Sequence, residues 1–115
     1  MFKKKRYIGD VIYLDHNPLS NQDIKADKGK PQCRLVPSEI VRCIAKVREY
    51  GVQKYGTAES WQSVKIERYQ DALYRHLLSY IENPNGVDEE SKLPHLWHIA
   101  CNVAFLCELQ KRGTE

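Results

Sequence analysis

No two of the four cysteines, Cys33, Cys43, Cys101 and Cys107, are spaced as a C-x-x-C pair. That absence argues against a zinc knuckle or a disulfide framework and leaves free thiols in a reduced, cytosolic protein as the expectation. No apolar run approaches the roughly 20 residues of a membrane span, and none follows the basic N-terminus as a secretory signal requires. Internal repeats and low-complexity segments are missing too. Nor is there a broad excess of one charge. The net charge is +3, and Lys3, Lys4, Lys5 and Arg6 exceed it by themselves, so the body is near neutral. Composition therefore gives no argument for nucleic-acid binding, which would rest on the basic arm alone. What is present, 42% hydrophobic and 29% charged in 115 residues, suits one soluble domain with a modest core.

Periodicity divides the chain at residue 36. Residues 1–36 lack helical spacing: RYIGDVIYL can form a short strand, and the segment rich in Asn, Asp, Gly, Lys and Pro after it reads as loop. Residues 37–115 read as three helices. The first opens at Pro37 and Ser38, lines up Ile40, Ile44, Val47 and Gly51, and ends at Gly51 or Gly56. The second runs from about Ile66 to Glu82, with Ile66, Tyr69, Leu73, Leu77 and Tyr80 on one face. The third is expected from about Glu90 to Lys111, with Asp88, Glu89 and Glu90 near its positive end. The fold class is all-α, a small three-helix bundle with an extended N-terminal arm.

The third helix carries the strongest chemical signal. In KLPHLWHIACNVAFLC, His95, His98 and Asn102 fall within about 60° of one another at roughly 100° per residue. Leu96, Ala100, Val103 and Cys107 lie roughly opposite, so the helix is apolar nearly all round and belongs in a core. Two inward imidazoles and an amide there need a metal, a ligand or a closed hydrogen-bond network. His76 lies within the apolar stripe of the second helix, so three histidines point inward. Asp71 falls nearly opposite that stripe, nearer Arg75, and Glu49 shares an outer face with Arg42 and Lys46. Either joins the histidines only if a second subunit covers its face.

Asp88 and Glu90 can close a metal or phosphate site from the end of the histidine helix, or simply complement its dipole. Glu49, Asp88 or Glu90 with His95 and His98 is a chemically reasonable set for Mn²⁺ or Mg²⁺. Lys28, Lys30, Arg34, Lys54 and Arg75 are candidate phosphate ligands, and Tyr55, Trp61 and Tyr69 can stack on a base. Taken singly, such lysines are usually solvated and such aromatics usually belong to a core.

Four segments occur in order: DKGKPQCRLVP, then EYGVQKYG with Trp61, then RYQDALYRHLL, then VDEESKLPHLWHIACNVAFL. Together they resemble the phage-associated dATP/dGTP diphosphohydrolase N-terminal domain family, over about Asp27 to Leu106. That family is similar, at a distance, to the MazG-type all-α nucleotide pyrophosphohydrolases, in which an E-x-x-E helix and a later E-x-x-D helix hold Mg²⁺. Here His95-x-x-His98 stands where the E-x-x-D would fall, and the first helix has only Glu39 and Glu49. The resemblance implies a MazG-like fold and a site drawn from Lys30, Arg34, Glu49, Lys54, Tyr55, Trp61, Arg75, His76, Asp88, Glu90, His95, His98 and Asn102.

The expected activity is metal-dependent hydrolysis of a purine deoxynucleoside triphosphate to monophosphate and pyrophosphate. In that expectation His95, His98 and Glu49 are catalytic, and Mg²⁺ or Mn²⁺ is held by His95, His98, Glu49, Asp88 and Glu90. Lys30, Arg34, Lys54, Tyr55, Trp61, Arg75, His76 and Asn102 bind the nucleotide. A non-catalytic module of viral origin that binds or sequesters a nucleotide is the alternative, and the missing E-x-x-E pair favours it. An HD-type phosphohydrolase ranks last, because the chain has no His-Asp dipeptide. Three helices enclose a nucleotide poorly and leave the apolar third helix partly bare, so a homodimer or higher oligomer is expected, in the cytoplasm and without a membrane partner.

Overall fold

A computed structural model describes residues 5–8, 11–14 and 24–113. The chain divides into two compact units, Met1–Cys33 and Arg34–Glu115. In the first, β1 (Lys5–Ile8) pairs antiparallel with β2 (Val11–Leu14), Tyr7 opposite Ile12. The strand read in RYIGDVIYL is thus a two-stranded ladder. Lys3, Lys4 and residues 15–23 of the expected loop lie outside the described residues.

The second unit is all-α, with helices α1 (Glu39–Tyr55), α2 (Ile66–Glu82) and α3 (His95–Gly113). No helix of the described residues is long and apolar enough to cross a membrane. In α1 the inward residues Cys43, Ile44, Val47 and Gly51 recur at three and four, the spacing that keeps one helical face on the core. The helix runs through Gly51 and stops at Gly56, whose left-handed backbone (φ 78°) lets its N–H reach the Val52 carbonyl. The α2 boundaries agree with the periodicity. A 3₁₀ turn at Ser60–Ser63 joins the two helices and delivers Trp61 inward.

α3 packs against both other helices, which is why its sequence is apolar nearly all round. Its burial is uneven, though. Cys101 (2% exposed) and Asn102 (8%) are buried, whereas Leu96 (47%) and Val103 (42%) on the apolar side are open. The polar strip therefore faces the interior of this chain and the apolar stripe faces out.

The start of α3 differs from the sequence expectation by five residues. Pro94 lacks an N–H and disfavours helical backbone at Leu93, so the helix cannot extend back to Glu90. Its carbonyl instead accepts the Trp97 and His98 N–H groups as the first helical turn forms. Residues 83–94 make a closed loop. Val87 bridges Pro94, the Asp88 N–H donates to Leu93 O, and the His95 N–H donates to Gly86 O. Lys92 turns the corner with left-handed backbone (φ 63°). Asp88, Glu89 and Glu90 thus lie in this loop, not in the first turn of a helix.

Gly51 within α1 and Gly56 at its cap should answer substitution with opposite signs. Gly56→Ala should destabilise by about 1 kcal/mol, since a Cβ is disfavoured at its positive φ. Gly51→Ala should be neutral or stabilise by about 0.5–1 kcal/mol, because it is helical and a Cβ would meet only the Arg48 guanidinium at 3.6 Å. Urea unfolding of both variants checks this.

Candidate active site

α2 and the first turns of α3 bring three imidazoles together. His76 Nδ1 lies 2.9 Å from His95 Nδ1, and the His76 and His98 rings stack at 4.5 Å and 7°. His98 Nε2 meets Ser91 Oγ at 2.7 Å, and Ser91 Oγ also accepts the Leu93 N–H. Asn102 donates through Nδ2 to the His98 carbonyl, one turn back on its own helix. The polar strip thus belongs to a hydrogen-bond network, and every buried side-chain polar atom of the described residues has a partner. One contact in it is unusual. Two Nδ1 atoms at that distance need either a proton on one ring and a lone pair on the other, or a shared cation.

Asp88 completes the group from the loop. Its Oδ2 accepts the Glu90 and Ser91 N–H groups, at 3.1 and 2.8 Å. One ligand atom each from His76, Asp88 and His95 lie within 4.8 Å of one another, close enough for one metal ion.

These groups border a cavity of about 460 Å³ between the three helices and the loop. His76, His98, Asp88 and Glu90 line it together with Asn102, and Trp61, Val64, Tyr69 and Phe105 supply apolar wall. Trp61 stacks on Phe105 at 4.8 Å, Tyr69 leans on the same ring, and the Tyr69 hydroxyl donates to the Trp61 carbonyl. Four cations also reach the cavity: Arg48, Lys54, Arg68 and Arg75. Arg48 is tethered by a bond to the Ala58 carbonyl and lies over Phe105. Lys54 pairs with Glu90 at 2.9 Å, and that bond pushes its pKa up.

Burial sets the protonation states. It lowers His76 to about 4, helped by the His98 charge, and it lowers His98 as well, so both rings are neutral at pH 7. Burial alone would raise Asp88, but hydrogen bonds from Ser91 and the nearby histidines outweigh it and hold the carboxyl below its ordinary value. Desolvation pushes the Cys101 thiol up to about 11, which makes this cavity-lining sulfur a neutral wall group and not a nucleophile.

Of the residues expected from sequence, Lys54, Tyr55, Trp61, Arg75, His76, Asp88, Glu90, His98 and Asn102 line the cavity, and His95 joins through His76. Arg75 thus turns toward the cavity and not to an outer-face partner. Glu49 does not join the cavity within one chain. It sits on the outer face of α1, 70% exposed and paired with Lys46, as the spacing predicted for a residue that reaches the histidines only if a second subunit covers that face. Arg34 is exposed and does not line the cavity, and Lys30 belongs to the first unit. Three residues escaped the sequence reading. Arg48 stands four after Ile44 and three before Gly51, so helical spacing already placed it on the inner face. Arg68 and Ser91 gave no comparable signal.

The depressed imidazole of His76 makes stability depend on pH. The unfolded chain protonates this ring near 6.5 and the folded chain near about 4, so between them the unfolded state binds more protons. The stability is complete above pH 6.5 and is lost as pH falls toward 4; Asp88 and His98 act in the same direction. Thermal melts without added metal should show the midpoint falling from pH 7 to 4.5, with a shallower fall in His76→Gln. An equal slope in that variant would refute the assignment.

A family model described as dATP/dGTP diphosphohydrolase, N-terminal, matches residues 20–115. A Salmonella phage PMBT28 protein named dATP/dGTP diphosphohydrolase is 41% identical over 83 residues, which are 72% of this chain and 28% of that relative. The chain thus spans little more than a quarter of the length of the relative it matches. No solved structure matches it. With the match running through all three helices and the cavity they enclose, this chain belongs to the dATP/dGTP diphosphohydrolase N-terminal family.

Proposed function

We propose that the cavity of the second unit binds a purine deoxynucleoside triphosphate and hydrolyses it to the monophosphate and pyrophosphate. The observation that carries this reading is one cavity lined by four cations, an imidazole–carboxylate end and an aromatic wall. The relative's name supports the substrate class. Arg48, Arg68 and Arg75 offer guanidinium forks to phosphate oxygens, and Lys54 offers a point charge once a phosphate displaces Glu90. The Trp61 ring already stacks on Phe105 and has the Arg112 guanidinium over it, so base stacking falls to the exposed ring of Tyr55 and the edge of Trp61.

In the reaction, water adds to the α-phosphorus while the bond from that phosphorus to the bridging oxygen breaks and pyrophosphate leaves. His98 is neutral at pH 7; with its Nε2–H donated to Ser91 Oγ, the ring takes the water proton at Nδ1. A divalent ion at the imidazole–carboxylate end would supply activation of that water and neutralise charge on the leaving group. Glu49 has no part in this reading.

Incubating the full chain with each dNTP and Mg²⁺ or Mn²⁺ should release dNMP and pyrophosphate, with purine dNTPs preferred. Arg75→Ala should lower kcat/KM by about 10–100-fold, the worth of one charge-assisted phosphate contact. No release under any combination would refute the hydrolase. The absence of an E-x-x-E pair and the outward Glu49 favour a second reading, a module that binds the nucleotide without turnover. Calorimetric binding with no product would establish it.

The same proposal includes a homodimer. Tyr74, Leu77, Leu78 and Ile81 form an exposed apolar stripe on α2, between 40 and 65% open, on the side away from His76. A second copy is the occupant proposed for it. Light scattering should give twice the chain mass at micromolar concentration, and Leu78→Glu should shift it to monomer; a wild-type monomer would refute the dimer.

A further inference from the structure

We propose that His76, Asp88 and His95 form a two-histidine, one-carboxylate centre for a first-row transition ion of the Mn²⁺, Fe²⁺, Co²⁺ or Zn²⁺ class, and not for Mg²⁺. The site deepens the hydrolase reading and rests on it only for what the ion would do. Its geometry stands apart. Two imidazole nitrogens about 2.1 Å from one ion and about 90° apart lie about 3.0 Å from each other. The His76 and His95 Nδ1 atoms lie 2.9 Å apart, the separation that one ion bound to both would hold.

The ligands come from three places with independent backbone support: the middle of α2, the 83–94 loop and the first residue of α3. Each is oriented by neighbours that are not ligands. The His98 ring stacks flat on His76 and is itself fixed by Ser91, while two backbone N–H groups hold Asp88 through Oδ2. Gly86 receives the His95 N–H at its carbonyl, and a Cβ at Gly86 would press the Asn83 carbonyl at 3.1 Å and touch the His95 ring at 3.5 Å. Such outer support is what fixes ring orientation in metal sites.

Donor type decides the ion. Mg²⁺ prefers oxygen ligands in near-ideal octahedra, whereas imidazole suits the transition metals and one carboxylate suits several of them. Glu90 lies outside the ligand group because Lys54 holds it, and His98 lies outside because its Nε2 is taken by Ser91.

The test uses the full chain, stripped with EDTA, and Co²⁺ as a visible probe without nucleotide. One Co²⁺ per chain should bind with d–d absorbance, Mn²⁺ should displace it, and Mg²⁺ in hundredfold excess should not. His76→Gln and His95→Gln should each weaken Co²⁺ binding by more than about a hundredfold, and His98→Gln by nearer tenfold, as a supporting residue does. Displacement by Mg²⁺, absence of Co²⁺ binding to the wild type, or unchanged binding in variants with native far-UV dichroism would overturn the site. The wild-type competition decides the matter even if a variant fails to fold. Co²⁺ binding without dNTP turnover would refute the hydrolase and leave the centre standing. Mg²⁺-supported turnover that survives His76→Gln would do the reverse.

Discussion

Two imidazole nitrogens 2.9 Å apart repel unless something positive lies between their lone pairs, and the interior of this unit is arranged around that demand. His76 reaches the contact from the middle of α2, and His95 reaches it only because α3 begins where it does. If α3 started at Glu90, residues 90–94 would be wound into the helix. Ser91 would then lie two turns before His98 on one helix and could not return from the loop to its ring. Pro94 prevents that by refusing the helical hydrogen bond. The chemistry of the site thus hangs on a backbone restriction one residue before His95.

The distribution of burial follows. A helix that points imidazoles and an amide at its neighbours offers them less apolar surface, and the buried core is correspondingly small, with Val47 and Cys101 at its centre. The aromatic group of Trp61, Tyr69 and Phe105 supplies much of the rest near the far end of the cavity. Stability near the loop end depends on satisfied polar contacts, which are directional and cost free energy when one partner is lost. The same contacts keep the site rings in fixed orientations.

Much of this was legible in the residues. Both ends of α2 and the inward turn of His76, His98 and Asn102 follow from spacing alone, because a 3.6-residue period leaves little freedom over four turns. The α3 boundary was harder, since Asp88, Glu89 and Glu90 imitate the acidic first turn of a helix while Pro94 states the opposite. Proline's restriction is steric and prevails over a dipole preference worth a fraction of a kcal/mol. Glu49 was attractive only as a carboxylate on the first helix, and its period places it outside. Arg48 was readable from the same period but was passed over, because a guanidinium on an apolar face becomes plausible only once a cavity and the Ala58 carbonyl are there to receive it. Ser91 depends wholly on the loop's closure, which no local pattern encodes.

Replacing a carboxylate-rich centre by imidazoles changes the charge that an incoming polyphosphate meets. A centre with one carboxylate brings at most a single negative charge, where four carboxylates would bring four. In this cavity four cationic side chains line the wall against two carboxylates, and one of those, Glu90, is already paired with Lys54. Coulomb attraction in a partly enclosed cleft is stronger than in open water, so the wall favours a polyanion before any ion is bound. A carboxylate cluster needs its ions first, to cancel its own repulsion of phosphate. The imidazole centre does not, so in the proposed reading nucleotide affinity and ion affinity can be separated: the arginines would set the first, and His76, Asp88 and His95 the second.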